Sequence, residues 1–339
     1  MMPLLHDHWF LLVPVRVPSS LLRGNPMGNP HDRLALVLSP PDDLVAEVVV
    51  YVLDGYFGSG RSLLNDPGAI GRSFAAELHE YQRQGLCPPA HFVFVDGSTF
   101  LGGSQYVNSL ANGPFADHIV HEILPAIETT FSIQGLPRVV MGHSSGGIGA
   151  LWLASEYPSI FQACLASAAD SAFEYSVLSL FPAAAMRLAR AGSLPAFLKD
   201  VFDRPQPERC SSADFKTLLV LALATCYSPQ PGHNEIHAEL PFDPKTLTLN
   251  ESIWHQWLAH DPARFSDARL KSFKDLRLLL LDCGSDDEHA AQFGHRRLSS
   301  RLSDLGITHI CEEFAGSHSG TRFRYRERLK HLKEALQRP

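Results

Sequence analysis

The stretch VVMGHSSGGIGALW, residues 139–152, changes its pattern in the middle. Val139, Val140 and Met141 end an apolar run of the kind that forms a buried strand. Beyond Gly146 and Gly147, the residues Ile148, Ala150, Leu151 and Leu153 fall on one side of a helix. Between the two halves stands Gly142-His143-Ser144-Ser145-Gly146, which fits G-x-S-x-G. A serine at the centre of a sharp strand-to-helix turn exposes its hydroxyl, and so tight a turn leaves no space for side chains on either side of it. The five-residue pattern is weak alone. The strand before it and the helix after it give it weight, and they put Ser144 at the central position.

Outward from this bend the chain alternates. EVVVYVLDG (47–55), HFVFVDG (91–97), FQACLASA (161–168), LRLLLLDCG (276–284) and THICEEF (308–314) read as strands, the first as one buried on both faces. Helical patterns fit near 70–84 and through 116–131, 146–156 and 290–304, with a terminal helix after the last strand. Two antiparallel-looking strands, 8–17 and 33–39, precede them across the turn-rich RGNPMGNPHD. Repeated βα units of this kind imply an α/β fold with a mostly parallel central sheet and helices on both faces. Residues 172–262 break the alternation with helices, prolines and the aromatics Phe173, Tyr175, Phe181, Phe197, Trp254 and Trp257. They read as a cap inserted into a single domain spanning 1–339, over the strand ends where open α/β sheets bind ligands. The aromatics fit an acyl-binding wall and the cap's own core equally well.

A serine hydroxyl is a poor nucleophile until a base takes its proton, and near neutral pH that base is a histidine oriented by a carboxylate. In this chain order the acid and then the histidine follow later strands. The strand 276–284 delivers Asp286, Asp287 and Glu288, while Asp282 remains within it. After 308–314 the loop EEFAGSHSG holds a single histidine, His318; His289 starts a helix and His309 lies in a strand, so both fit less well. The amide of Ser145, next after the nucleophile, is one donor for an oxyanion.

Composition narrows the classes. The 339 residues are 45% hydrophobic and carry a net charge of -7, which suits a globular chain and argues against nucleic acid as the main partner. The basic residues of RFRYRERLKHLKEALQR (322–338) read as the solvated face of a helix. The six cysteines show no metal-ligand spacing, and Cys164, Cys283 and Cys311 fall in apolar strand-like runs where cysteine acts as a small hydrophobe. MMPLLHDHWFLLVPVRVPSS lacks the basic start of a signal peptide and reads as a first strand. No stretch is apolar and long enough to span a membrane, and a reducing, cytoplasmic setting is the default.

In YVLDGYFGSG (51–60), GGSQYVNS with HEILPAIETTF (102–131), GHSSGGIGAL (142–151), LDCGSDDEH (281–289) and EEFAGSHS (312–319), the chain resembles the esterase D-like branch of the α/β-hydrolase superfamily, which includes mycolyltransferases and enterochelin-type esterases. The resemblance implies an α/β-hydrolase fold, Asp287 as the acid because it stands three residues after Gly284, and the Tyr56 amide as the second oxyanion donor. It also places Asp96, Tyr106 and Asn108 in the pocket or its scaffold. Together these readings describe a serine hydrolase that cleaves a small-molecule carboxylic ester through an acyl-enzyme, with no cofactor or metal. An acyltransferase using the same residues, an amidase and a hydrolase fold kept only for binding remain as alternatives, and the oligomeric state is open.

Overall fold

Six residues in a row, Val48–Leu53, are fully buried, so this strand needs cover on both faces. Val49, Tyr51 and Leu53 enter one apolar cluster and Val48, Val50 and Val52 another, as the two-residue strand period requires. The computed structural model describes residues 12–64, 72–204 and 210–338. Positions 8–11 of the expected first strand, and 70–71 of the expected first helix, lie outside them.

The sheet has eight strands: β1 (Leu12–Pro18), β2 (Asp32–Leu38), β3 (Val48–Leu53), β4 (Ala90–Val95), β5 (Arg138–His143), β6 (Ala163–Ser167), β7 (Leu278–Gly284) and β8 (Ile310–Phe314). Their order is β1-β2-β4-β3-β5-β6-β7-β8; β2 is antiparallel to both neighbours and the rest run parallel. The main helices are α1 (Phe74–Arg83), α2 (Leu124–Phe131), α3 (Ser145–Glu156), α4 (Phe181–Ala191), α5 (Leu194–Phe202), α6 (Ser212–Tyr227), α7 (Glu251–Leu258), α8 (Ala291–Asp304) and α9 (Tyr325–Gln337). Residues of α2, α3 and α8 fill the first cluster, and those of α1 and α9 the second. The fold is thus the expected α/β class. The stretch read as one helix over 116–131 has a π-helical segment at Ile119–Ile123 before α2. Pro125, which has no N–H to give the carbonyl of His121, stands at that change.

Helices α4 to α7 lie between β6 and β7. Phe181 packs on Trp254 and Trp257 at 5.6 and 5.7 Å between ring centroids, and the Trp257 indole donates to Ser228 Oγ at 2.8 Å. Phe173 and Phe197 are also buried, whereas Tyr175 is exposed, so five of the six aromatics read from the sequence form packed core. The ends of the segment meet at one buried carboxylate: Asp261 accepts the amides of Ala172, Phe173 and Ala263 at 2.9, 3.0 and 2.9 Å. Among the described residues no helix is long and apolar enough to cross a membrane.

Two expectations need correction. Cys311 is exposed, because β8 is an edge strand that pairs only with β7 and is not covered on both faces. Arg328 is not on a solvated face; it is buried and reaches Asp282 in β7 with Nε at 3.0 and 2.9 Å from the two carboxylate oxygens. Its other arm donates to Ser167 Oγ in β6, while Arg324 meets Asp282 at 3.3 Å. A carboxylate inside an apolar strand demands a cation, and the last helix supplies it. Removing one partner of such a pair strands the other, so Arg328→Met should lower unfolding free energy by about 3–5 kcal/mol. Urea denaturation measures this; a loss below about 1 kcal/mol would show that Arg324 suffices.

Candidate functional site

The carboxyl ends of the parallel strands lie side by side. Register pairs Leu53 with Gly142, His143 with Ser167, Ser167 with Asp282 and Gly284 with Phe314, so the loops that follow open onto one edge of the sheet. Ser144 follows β5 at φ 57° and ψ -121°, a strained conformation for a non-glycine residue. Its amide donates to the Ser167 carbonyl at 2.9 Å, and its carbonyl accepts the Ile148 amide at 3.0 Å, tying the bend to β6 and to the first turn of α3. The flanking glycines are sterically required. A Cβ on Gly142 would stand 2.1 Å from the Gly146 carbonyl oxygen, and one on Gly146 would stand 2.1 Å from that of Leu53.

His318 is brought to this bend from the loop after β8. Its Nε2 lies 3.0 Å from Ser144 Oγ and its Nδ1 lies 2.8 Å from Asp287 Oδ2. With a neutral ring, Nδ1–H donates to Asp287 and Nε2 accepts from the serine hydroxyl, a tautomer assigned from these partners. The second Asp287 oxygen accepts the His289 amide at 2.8 Å. Of the three acids the sequence left open, Asp287 is buried against the imidazole, Asp286 is exposed beside Ser285, and Glu288 accepts the His318 amide at 2.9 Å. Burial works against protonation of His318, but the Asp287 hydrogen bond, Asp170, the Asp287 charge and Glu288 outweigh it and raise the pKa above its ordinary value. Asp287 is held low: burial opposes ionisation, and His318 and the His289 amide more than offset it.

Tyr56 and Ser145 flank the bend. Gly55 rests on it, since a Cβ there would be 3.6 Å from both the His143 carbonyl oxygen and Ser144 Cβ. The amides on either side of Tyr56 are occupied, Gly55 by Asp54 Oδ1 at 2.8 Å and Phe57 by the Gly102 carbonyl at 3.3 Å. Ser145 opens α3, where a first amide has no intrahelical acceptor. Tyr106 braces this arrangement. Its ring occupies the space a side chain would take at Gly97 and Gly149, and its hydroxyl donates to the Asp54 carbonyl at 2.9 Å. Asp96 is scaffold: it accepts the Ser98 amide at 3.0 Å and faces Arg33 at 3.2 Å. Asn108 caps the Asp117 amide at 3.0 Å near the surface.

His143 stays uncharged: burial first, then His318 and Arg328, bring it down to about 3. His309, just before β8, is engaged with Ser299 and the Ile307 carbonyl, while His289 precedes α8 with its ring centroid 4.3 Å from that of His318. Sequence reading did not find Phe57 and Phe215, whose rings contact Tyr56 at 4.3 and 5.5 Å, nor Asp170 and the anchoring role of Glu288. Phe215 belongs to a helix buried nearly all round, and that pattern marks no functional face.

Over residues 105–332 the chain matches the family model described as "Putative esterase". Among solved structures it is similar to a ferulic acid esterase, at 14% identity and a TM-score of 0.58, covering 96% of this chain and 98% of that one. It is also similar to an S-formylglutathione hydrolase from Agrobacterium tumefaciens, at 15% identity, 96% and 95% coverage and a TM-score of 0.54. For a CE1 ferulic acid esterase from Anaeromyces mucronatus the values are 15%, 96%, 92% and 0.53. At such identities the likeness is one of fold, the α/β-hydrolase fold. No curated protein sequence matches the chain.

The steric account of the bend is testable by a pair of substitutions. Gly55→Ala adds a methyl at ordinary contact distance and should cost less than about 1 kcal/mol, whereas Gly146→Ala drives a Cβ into backbone and should cost about 3 kcal/mol or abolish soluble expression. Thermal and urea unfolding of the two variants decide it, and equal stability would refute the packing argument.

Proposed function

The chain belongs to this esterase family, and from that premise we propose that it hydrolyses small-molecule carboxylic esters with Ser144, His318 and Asp287 as its catalytic triad. The observation that carries the reading is the unbroken hydrogen-bond run from Ser144 Oγ through the His318 ring to Asp287, at 3.0 and 2.8 Å.

In the first half-reaction His318 Nε2 takes the Ser144 proton as Oγ bonds to the ester carbonyl carbon. The carbonyl electrons move to oxygen, and the Tyr56 and Ser145 amides hold the resulting oxyanion. When the tetrahedral species collapses, the C–O bond to the alcohol breaks and the alcohol leaves with the proton from His318. Water then repeats the sequence on the acyl-enzyme, releasing the acid and returning the proton to Ser144. Asp287 keeps Nδ1 protonated and stabilises the imidazolium without itself taking the proton. Residues 172–262 act as the cap of this one domain. Phe215 of α6 contributes an aromatic wall with Tyr56 and Phe57, which suits an apolar group on one side of the ester.

Hydrolysis of p-nitrophenyl esters from acetate to a long acyl chain tests this. Ser144→Ala should remove activity and labelling by a fluorophosphonate probe. Asp287→Asn should lower kcat by about 10⁴-fold, while Asp286→Asn changes it by less than about twofold. Undiminished turnover in Ser144→Ala would overturn the proposal, and turnover that requires an added alcohol would make the protein an acyltransferase. Because the base acts deprotonated and its pKa is raised, kcat/KM should fall as pH drops through a midpoint above about 6.5. A midpoint below that value would contradict the charge environment described for His318.

A further inference from the structure

β6 lies between β5 and β7, so the segment that follows it emerges between the bend carrying Ser144 and the loop carrying Asp287. This segment, residues 168–172, is held from several sides. The Ala168 amide donates to the Asp282 carbonyl of β7 at 2.8 Å, and the amides of Ala172 and Phe173 go to Asp261. Gly294 of α8 packs so closely that a Cβ there would sit 2.1 Å from Ser171 Oγ. Ala168 and Ala172 both have positive φ, 43° and 55°, a costly conformation for alanine on each side of Asp170.

Asp170, half-buried, is the side chain so positioned. Its Oδ1 is buried with no hydrogen-bond partner among the described residues, and the charged groups that act on it include no arginine or lysine. The titratable groups that interact with it are His289, His318, Asp287 and Tyr227, whose hydroxyl is likewise buried without a hydrogen-bond partner. A buried carboxylate oxygen without a donor is expensive and calls for a compensating charge. Of the groups that interact with it only the two imidazoles can become cations, and one of them is the proposed base.

We infer that Asp170 is a positioning residue for His318, a second carboxylate besides Asp287 that stabilises the imidazolium formed when Ser144 gives up its proton. The inference rests on the catalytic reading of Ser144 and His318. Asp170 forms no bond in the reaction and accepts no proton; it supplies negative charge to His318 from the segment after β6, while Asp287 supplies hydrogen bond and charge from the loop after β7. Burial raises the Asp170 carboxyl, His289 and His318 oppose that rise, and Asp287 adds to it. Its ionised form is therefore most favoured when His318 is protonated, the state through which both half-reactions pass. The other titratable groups facing His318 are Glu288 and His289 from the loop before α8, and His143 from the end of β5.

The test compares wild type, Asp170→Asn, Asp170→Ala, Asp287→Asn and the double variant Asp170→Asn/Asp287→Asn. The measurements are kcat/KM for p-nitrophenyl acetate between pH 5 and 9, an NMR titration of the His318 ring, and fluorophosphonate labelling of Ser144. Removing a negative charge lowers the pKa of a nearby imidazole. Asp170→Asn should thus move both the acid limb and the NMR midpoint of His318 down by about half a unit or more. It should also lower kcat several-fold, about tenfold at most, with KM little changed. Asp170→Ala should give the same shift, which covers the case in which one variant fails to fold. The double variant should lose roughly a further tenfold beyond Asp287→Asn. A His318 midpoint and acid limb that superimpose on wild type, in a variant whose Ser144 still labels, would overturn the inference alone. A shift confined to His289 would do the same, since Asp170 would then serve the other ring. Failure of the wild type to label at Ser144 would instead sink the catalytic reading, and this inference with it.

Discussion

The absence of two side chains sets the geometry on which the site depends. At Gly142 and Gly146 the backbone of the bend approaches carbonyl oxygens so closely that any Cβ would collide. This contact lets β5 turn directly into α3 and leaves Ser144 at the apex in a conformation its neighbours over-determine. It also seats α3 against the end of β3, so the Tyr56 loop can lie on the bend with Gly55 between them. Tyr106 then locks loop and helix together from below. The oxygen of Ser144 and the amides around it are positioned by close packing, a more rigid device than any surface loop.

A second constraint works from behind. Asp282 is fully buried in β7, next to the edge strand, and is neutralised by Arg328, whose other arm reaches Ser167. Ser167 in turn faces the His143 ring and, through its carbonyl, holds the Ser144 amide. The last helix is thus connected through side chains to the strand that carries the bend. A buried ion pair is not a strong source of net stability, but one missing partner is severe, and that asymmetry ties the terminal helix to β6 and β7.

Much of this was legible in the sequence, for identifiable reasons. Val48–Leu53 is apolar at every position and cannot be half-exposed, so the parallel sheet followed from it and its counterparts. Ser144 and His318 each stand just beyond a strand, at positions defined along the chain. Asp287 was different: three consecutive acids follow Gly284, and their order says nothing of side-chain direction, so only the family resemblance separated them. Arg328 was misread because its partner, Asp282, is remote in sequence and hidden in an apolar run. Cys311 was misread because an apolar strand pattern does not tell which strand will be at the edge. Phe215 and Asp170 acquire meaning only from what the fold brings beside them, and no local pattern carries that information.

The carboxylate of Asp261 has a wider consequence. By taking amides from both Ala172 and Ala263, it makes the chain leave the sheet and return to it at one place. Whatever lies between is, to the sheet, a closed loop with a fixed footprint, and the entropy of closing a loop rises only slowly with its length. The intervening helices can therefore lengthen, shorten or be exchanged in the course of descent while the strands and the serine bend keep their places. One frame that holds an interchangeable segment at a fixed footprint keeps the geometry of its strands independent of what is inserted between them.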